Sequence, residues 1–589
     1  MEPDHANWAI TVGFSKDFSV AEGTQHVLQA TDSRLAPVNT SRRTGSVVCT
    51  MSDEATFSDT LLIGLTPEQR EAVMSPARRL LVRATAGSGK THVLTLRIQR
   101  RVADQEVAAD QVLAMTFTRK AGDELRKRLF RSGIRDVRAG TFHRTALTLI
   151  TQFREDNHLK PLTLEPNRKR LVMALAVQLR DSGDLRLEDW QLPRVEQEIG
   201  WALSQGFNGA LYAKSARKLR RDAPLAPAQF AEVLDRYVGL CRSRGVLDFD
   251  LLLSEAIALL RNEPNVLASF RHHNKSLYVD ETQDMNPLQF MMLCQMAGGD
   301  PDLFCVGDPN QSIYGFNGAS PQLLNEIIRT WPDTIVLDLT RNHRSTAHII
   351  EVANTLLEDG AQGIVPAKDD GEVPLVRSYS TDAEEAQHVA TWLSAKHQPD
   401  SPWRSMAVLS RTNAQLELVA SYLEAADIPY ERRGPEHSPG SDLFAPSDSS
   451  TRRINDESND AVALSTIHRA KGLEFQHVAA IGWAEGQLPN YNATTESEID
   501  EERRLAYVAL SRAEDSLLIT WNRGRNDPRY PDREPSRFLS PIEKVITAIE
   551  TRNAPLTGAA RKARLAAIRA ELEASPTLSD ASSSRRLGT

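Results

Sequence analysis

Nowhere in the 589 residues does an apolar run approach the roughly 18 residues that a membrane-spanning helix needs. The N-terminus (Met1, Glu2, Pro3, Asp4, His5) also lacks the basic-then-apolar order of a secretory signal. Both absences predict a cytoplasmic protein with no membrane partner. Cysteine is scarce: Cys49, Cys241, Cys294 and Cys305 stand far apart with no CxxC pair, which argues against a disulfide framework, a zinc ribbon or a four-cysteine iron–sulfur cluster. Buried free thiols are the simpler expectation. No solenoid period recurs along the chain. A basic surplus is missing too, since 70 Lys+Arg face 78 Asp+Glu for a net charge of −8. Nucleic-acid binding depends on the local field and not on that sum, so composition leaves function open.

At about 100 to 200 residues per domain, the length predicts roughly three to five units. Residues 1–58 show no sustained period of 2 or 3.6 and read as a weakly ordered extension, with Met51 as an alternative start. Thr66-Pro67-Glu68-Gln69 then opens a helix, a strand at 80–84 ends in a glycine-rich turn, and a second strand at 112–117 precedes a charged helix over 120–130. Strands alternating with helices imply a parallel sheet. Residues 146–247 lose the strand signal and read as an inserted helical subdomain. Strands return at 276–280, 303–307 and 334–337, and again at 405–410, 461–465, 477–482 and 516–520. The predicted fold class is therefore α/β with two lobes, 59–145 with 248–335 and 336–432 with 461–545. A polar linker fills 433–460, and residues 546–589 form a helical (559–574) then Ser-rich tail.

The chemistry-bearing residues start at the first strand–helix junction, Ala84-Thr85-Ala86-Gly87-Ser88-Gly89-Lys90-Thr91. Glycines let backbone N–H groups approach phosphates, Lys90 reaches the terminal phosphates, and the Thr91 hydroxyl suits Mg²⁺. Ala84 replaces the first glycine of the general pattern. An acidic pair at the end of another strand should complete the site, and Asp280-Glu281 supplies it, Asp280 for Mg²⁺ and Glu281 to orient and deprotonate the attacking water. Alone, such a pair is usually a turn or cap; beside a phosphate loop the catalytic reading is stronger. Phosphoryl transfer also needs positive charge on the departing phosphate, for which Arg344 and Arg512 are candidates.

In order along the chain stand Gln69, the phosphate loop, Thr116-Phe117-Thr118-Arg119-Lys120, Gly140-Thr141-Phe142-His143, Asp280-Glu281-Thr282-Gln283-Asp284 and Gly307-Asp308-Pro309-Asn310-Gln311-Ser312-Ile313-Tyr314-Gly315-Phe316. Asn342-His343-Arg344-Ser345-Thr346, His468-Arg469-Ala470-Lys471-Gly472-Leu473-Glu474-Phe475 and Glu501-Glu502-Arg503-Arg504-Leu505-Ala506-Tyr507-Val508-Ala509-Leu510-Ser511-Arg512 follow. In these motifs the chain, over residues 65–539, resembles superfamily 1 helicases of the UvrD/Rep/PcrA type. The resemblance implies two RecA-like P-loop NTPase lobes, ATP with Mg²⁺ between them, and single-stranded DNA lying across both. It implies that Gln69 and His343 meet adenine, that Glu474 meets ribose, and that Gln283 and Gln311 sense the γ-phosphate. Arg344 and Arg512 become arginine fingers, and Phe117, Thr141, His143, Tyr314, Phe316 and His468 the DNA track, where aromatic faces stack on bases. Gln311 and Tyr314 are three residues apart, so nucleotide state and DNA contact share one segment.

Several positions depart from the family's pattern. His343 stands where tyrosine is usual, His92 where arginine follows the GKT, and Phe316-Asn317 where Trp-Arg is common. The family's second inserted domain has only the 433–460 linker in its place. The first insertion carries a basic run, Lys214, Arg217, Lys218, Arg220 and Arg221. The resemblance thus implies an ATP-dependent 3′ to 5′ DNA helicase acting in repair or recombination on 3′-tailed duplexes, and the missing second insertion predicts that it works as a monomer without swivel-type autoinhibition. The alternatives are the motor subunit of a helicase–nuclease or anti-phage system, whose nuclease or repair partner is a separate protein, and a nucleotide-gated strand-binding ATPase that does not unwind.

Overall fold

A computed structural model describes residues 62–183, 185–219, 223–357, 363–432, 460–524, 532–554 and 558. The expected extension over 1–58 with Met51, nearly all of the 433–460 linker, the 559–574 helix, and Arg220 and Arg221 lie outside the described residues. Two compact units emerge, one holding Asn167–Leu203 and Phe207–Arg244, the other holding Leu65–Pro166, Ser204–Gly206 and the chain from Gly245 onward.

The larger unit contains two six-stranded sheets. The first is built from β1 (Arg79–Ala84), β2 (Val112–Thr116), β3 (Arg138–Thr141), β4 (Ser276–Val279), β5 (Asp302–Gly307) and β6 (Ile335–Leu339), in the order β3-β2-β4-β5-β1-β6 with every pair parallel. Its inner strands β2 and β4 are buried at every position, as a parallel sheet covered on both faces requires. The second sheet holds β7 (Leu375–Tyr379), β8 (Met406–Ser410), β9 (Tyr430–Arg432), β10 (Val462–Thr466), β11 (Phe475–Ala480) and β12 (Ala513–Asn522), ordered β7-β12-β11-β8-β10-β9, again all parallel. The mixed α/β class with two parallel-sheet lobes is the one the sequence predicts.

The differences are local and have physical reasons. Strands β3, β7 and β9 were not anticipated; all three are sheet edges, and Leu375–Tyr379 and Tyr430–Arg432 are only partly buried, so neither forms an apolar run. Strand β6 pairs with β1 through Leu339, which carries the first lobe past the expected boundary at 335. Phe142–Asp156 packs against Phe249–Asn262 within the larger unit, so an insertion beginning at 146 would cut a helix of the lobe. Likewise Leu539–Asn553 buries Ile542, Ile546 and Ile549 in the second-lobe core, which therefore extends beyond residue 545.

The smaller unit is helical, with Arg168–Ser182, Gly209–Ala216 and Pro227–Arg244 around Tyr212 and Phe230, whose ring centres lie 4.6 Å apart. Lys214, Arg217 and Lys218 are exposed on it. Cys241, Cys294 and Cys305 are free thiols. Among the described residues no helix is long and apolar enough to cross a membrane.

Candidate functional site

Strand β1 ends at Ala84, and the loop to the helix Lys90–Ala103 turns through Gly87 and Gly89 at φ of +67° and +82°, a region L side chains rarely adopt. Thr85 N–H donates to Leu339 O at 3.0 Å and Ser88 Oγ to Thr85 O at 2.8 Å, which pins the loop to the end of β6. The helix Pro67–Met74 begins in a capping box between Thr66 and Gln69, and the Gln69 amide reaches back to donate to Ser88 O at 3.0 Å. Adjacent Glu68 accepts from both Thr340 N–H and Thr340 Oγ1 at 3.1 Å. The loop thus delivers Gly87 and Gly89 to the N-terminus of the following helix, a setting that suits an anion; His92 stands in its first turn.

The parallel register brings the end of β4 beside this loop. Thr91 Oγ1 donates to Asp280 Oδ2 at 3.0 Å, joining the two oxygens expected at a metal. Burial, followed by the Glu281 charge, pushes the Asp280 carboxyl up to about 6 against the pull of Lys90. Glu281 adopts φ +50°, a strained setting for a non-glycine residue. Burial alone would raise its carboxyl, but Lys90, Lys471, the Gln283 amide and Arg512 together hold it at about 2. It is ionised at neutral pH, the state in which a carboxylate can accept a hydrogen bond from a water. Gln283 bridges onward, its Nε2 on Glu281 and its Oε1 accepting Asp308 N–H at 2.9 Å, and Gln311 Nε2 donates to Asp308 Oδ2 at 2.8 Å.

The second lobe closes directly on the loop. Asn342, fully buried, donates from Nδ2 to Ala86 O at 2.8 Å and accepts Arg344 N–H and Ser345 N–H on Oδ1, each at 2.8 Å. His343 N–H donates to Gly87 O at 2.9 Å and leaves its ring exposed. The Tyr507 hydroxyl accepts Ala86 N–H at 3.4 Å. Arg344 reaches Glu474 Oε2 at 2.8 Å and Ser511 O at 3.2 Å. Arg512, also fully buried, is spread over Val508 O, Leu473 O and Ser511 Oγ, with burial and the charge of Arg344 lowering its guanidinium to about 9. Glu474, expected on ribose, is here the partner of Arg344. Asn342 and Tyr507 were not singled out in sequence. The signal was present, since both lie inside the motifs that carry the resemblance and an asparagine amide can serve donor and acceptor at once.

A second constellation joins the lobes. Phe117 stacks on Tyr314 with ring centres 4.9 Å apart, Phe316 lies 6.0 Å from Tyr314 and 5.7 Å from His468, and Tyr314 OH donates to His468 O at 3.2 Å. Phe316 is 48% exposed, which leaves a free aromatic face. Thr141 and His143 do not present themselves this way. The Thr141 hydroxyl caps the helix Phe142–Asp156, and the His143 ring is buried edge-on to Phe249 at 5.8 Å, so as placed they offer little surface to a polymer strand. A histidine followed by an apolar helix reads equally well as core, and here packing wins.

Comparison with known proteins gives a consistent picture. The UvrD/REP helicase N-terminal domain matches residues 65–332, and the UvrD-like helicase C-terminal domain matches 337–436 and 446–524. The ATP-dependent DNA helicase UvrD2 of Mycobacterium tuberculosis H37Rv is 31% identical over 87% of this chain and 86% of its own. UvrD1 of the same strain is 31% identical over 70% and 55%, and DNA helicase II of Escherichia coli K12 is 30% identical over 64% and 52%.

Proposed function

Because the chain belongs to the UvrD-like family of ATP-dependent DNA helicases, we propose that it couples ATP hydrolysis to 3′ to 5′ movement along single-stranded DNA and to unwinding of 3′-tailed duplexes. One observation carries this reading: the second lobe closes on the phosphate loop through side chains at Ala86 and a backbone N–H at Gly87, while the same two lobes meet again at the Phe117–Tyr314–Phe316–His468 cluster. A nucleotide that changes the first contact must act on the second.

In this reading the 84–91 loop and Lys90 hold the phosphates, Gln69 and the exposed ring of His343 take the base, and Thr91 with Asp280 holds Mg²⁺. The fit to Mg²⁺ is chemical. Thr91 and Asp280 present hard oxygens 3.0 Å apart, and Mg²⁺ is commonly held by one or two carboxylates together with substrate phosphates. When bound, the ion neutralises charge on the phosphates. Glu281 orients the attacking water, Gln283 and Gln311 report the γ-phosphate through Asp308, and Arg344 with Arg512 supplies the cations. Nucleotide takes Arg344 from Glu474, leaving that carboxylate for the ribose. Phe117, Tyr314, Phe316 and His468 form the base-stacking track.

The biological setting read from the family is DNA repair or recombination in the cytoplasm, with the protein acting as a monomer or beside a repair or nuclease partner. The test is ATP hydrolysis with single-stranded DNA, with RNA and with no polymer, alongside unwinding of 3′-tailed and 5′-tailed duplexes. DNA-stimulated hydrolysis and 3′-tail unwinding are expected. Hydrolysis indifferent to DNA, or unwinding only from a 5′ tail, would reject the reading.

A further inference from the structure

The first-lobe segment 311–316 carries both the proposed phosphate sensor Gln311 and the stacking rings of Tyr314 and Phe316. The second lobe grips it almost residue by residue. Lys471 Nζ donates to Gln311 O, Arg504 Nε donates to Ser312 O at 2.8 Å, Glu501 Oε1 accepts Gly315 N–H at 2.8 Å, and Tyr314 OH donates to His468 O. A Cβ at Gly315 would fall on the Glu501 carboxylate, which would have to move aside.

Lys471 is the centre of the grip. Its ammonium also bonds both carboxylate oxygens of Asp284, at 2.7 and 2.6 Å, and sits 5.3 Å from the centre of the Tyr314 ring. The pair is almost sealed from solvent, with 6% of the lysine side chain and 2% of the aspartate exposed. Such a pair gives little net stability, because desolvating two charges offsets their attraction. Its attraction is nonetheless strong once water is excluded, and these partners come from opposite lobes, so the interaction exists only while the lobes are together. It touches the sensor backbone, the stacking ring and the acidic segment three residues beyond Glu281.

We propose that Lys471 is a positioning residue that transmits lobe closure from the nucleotide to the DNA-stacking segment, through Asp284, Gln311 O and Tyr314. Its ammonium bonds Asp284 and Gln311 O, neither of which is assigned a chemical step above. This assignment rests on the functional reading above.

The experiment measures the dissociation constant of the full chain for a fluorescent oligothymidylate with and without a non-hydrolysable ATP analogue and Mg²⁺. The ratio of the two constants is the coupling, and about 5- to 150-fold is expected for the unaltered protein. In Lys471→Met the ratio should fall to within about twofold of one while each ligand still binds. Asp284→Asn, which removes the partner charge with little change of shape, should move the ratio the same way and decides the matter if Lys471→Met fails to fold. The double variant should lose no more coupling than the worse single one, since the two residues act through one contact. A purely structural lysine would lower the melting temperature and leave the ratio intact, and that result overturns the proposal alone. An unaltered protein whose DNA affinity ignores nucleotide overturns the functional reading, and the proposal with it.

Discussion

Replacing Gly87 with alanine tests whether second-lobe closure on the phosphate loop drives turnover. At φ +67° an alanine carries a left-handed penalty of about 1–2 kcal/mol. Its Cβ would also lie 2.5 Å from Asn342 Nδ2 and 2.9 Å from Arg344 Cβ, closer than real Cβ atoms approach, so Asn342 must withdraw from Ala86 O. Losing that buried hydrogen bond adds about 1–3 kcal/mol, which brings the total to roughly 2–5 kcal/mol. Gly133 is the control. It sits at φ +84° just beyond the helix Arg119–Arg131 with nothing within 4 Å of its would-be Cβ, so Gly133→Ala carries the backbone term alone. Because Asn342 also fixes the backbone of Arg344, the clash falls on the groups proposed to stabilise the leaving phosphate. DNA-stimulated kcat should drop about 100-fold or more in Gly87→Ala, given that an arginine finger contributes about 10³–10⁵. Gly133→Ala should stay within about twofold of the unaltered enzyme, in keeping with a change that touches no functional group. Steady-state hydrolysis and melting curves of both variants supply the data. Equal losses of kcat in the two variants, or an unchanged kcat in Gly87→Ala, would refute the reasoning.

Three further outcomes follow from the same geometry. Glu281→Gln should lower kcat by about 10²–10⁴-fold with single-stranded DNA affinity largely kept, as read by hydrolysis and fluorescence anisotropy. Phe117→Ala should weaken DNA binding by about 5- to 150-fold, the equivalent of one lost stacking partner at about 1–3 kcal/mol, without changing the salt dependence that phosphate contacts set. Burial lowers the His143 imidazole to about 4, with Asp248 pulling the other way, against about 6.5 when unfolded. Between those values the unfolded chain binds the proton and the native one does not, so stability falls as pH drops from about 6.5 to about 4, by up to about 3 kcal/mol. His143→Gln should flatten the melting temperature across that window, and an unchanged slope would count against the buried neutral imidazole.

What could be read in the sequence divides along physical lines. The phosphate loop and Asp280-Glu281 were legible because each is a short contiguous run whose residue types the chemistry demands, placed where an apolar strand stops. The inner strands were legible because burial on both faces leaves an unbroken apolar run, whereas the edges β3, β7 and β9 carry no such mark. Asn342 on Ala86, Tyr507 on the same residue, and Lys471 on Asp284 link residues more than 180 positions apart, and no local pattern encodes such partners. His143 shows the reverse limit: its motif position pointed to DNA, while its packing against Phe249 makes it part of the interior.

Among the described residues the chain crosses from one lobe to the other once, at Thr340, and that crossing is moored to Glu68 beside Gln69 and, through Leu339 O, to Thr85 of the phosphate loop. The fulcrum of a rotation about this crossing therefore lies beside the phosphate loop. Atoms near a fulcrum travel least and those on the far arms travel most, so a small closure at the phosphates is geared up into a larger displacement away from it. The size of that displacement is then set by arm length, a property of the fold.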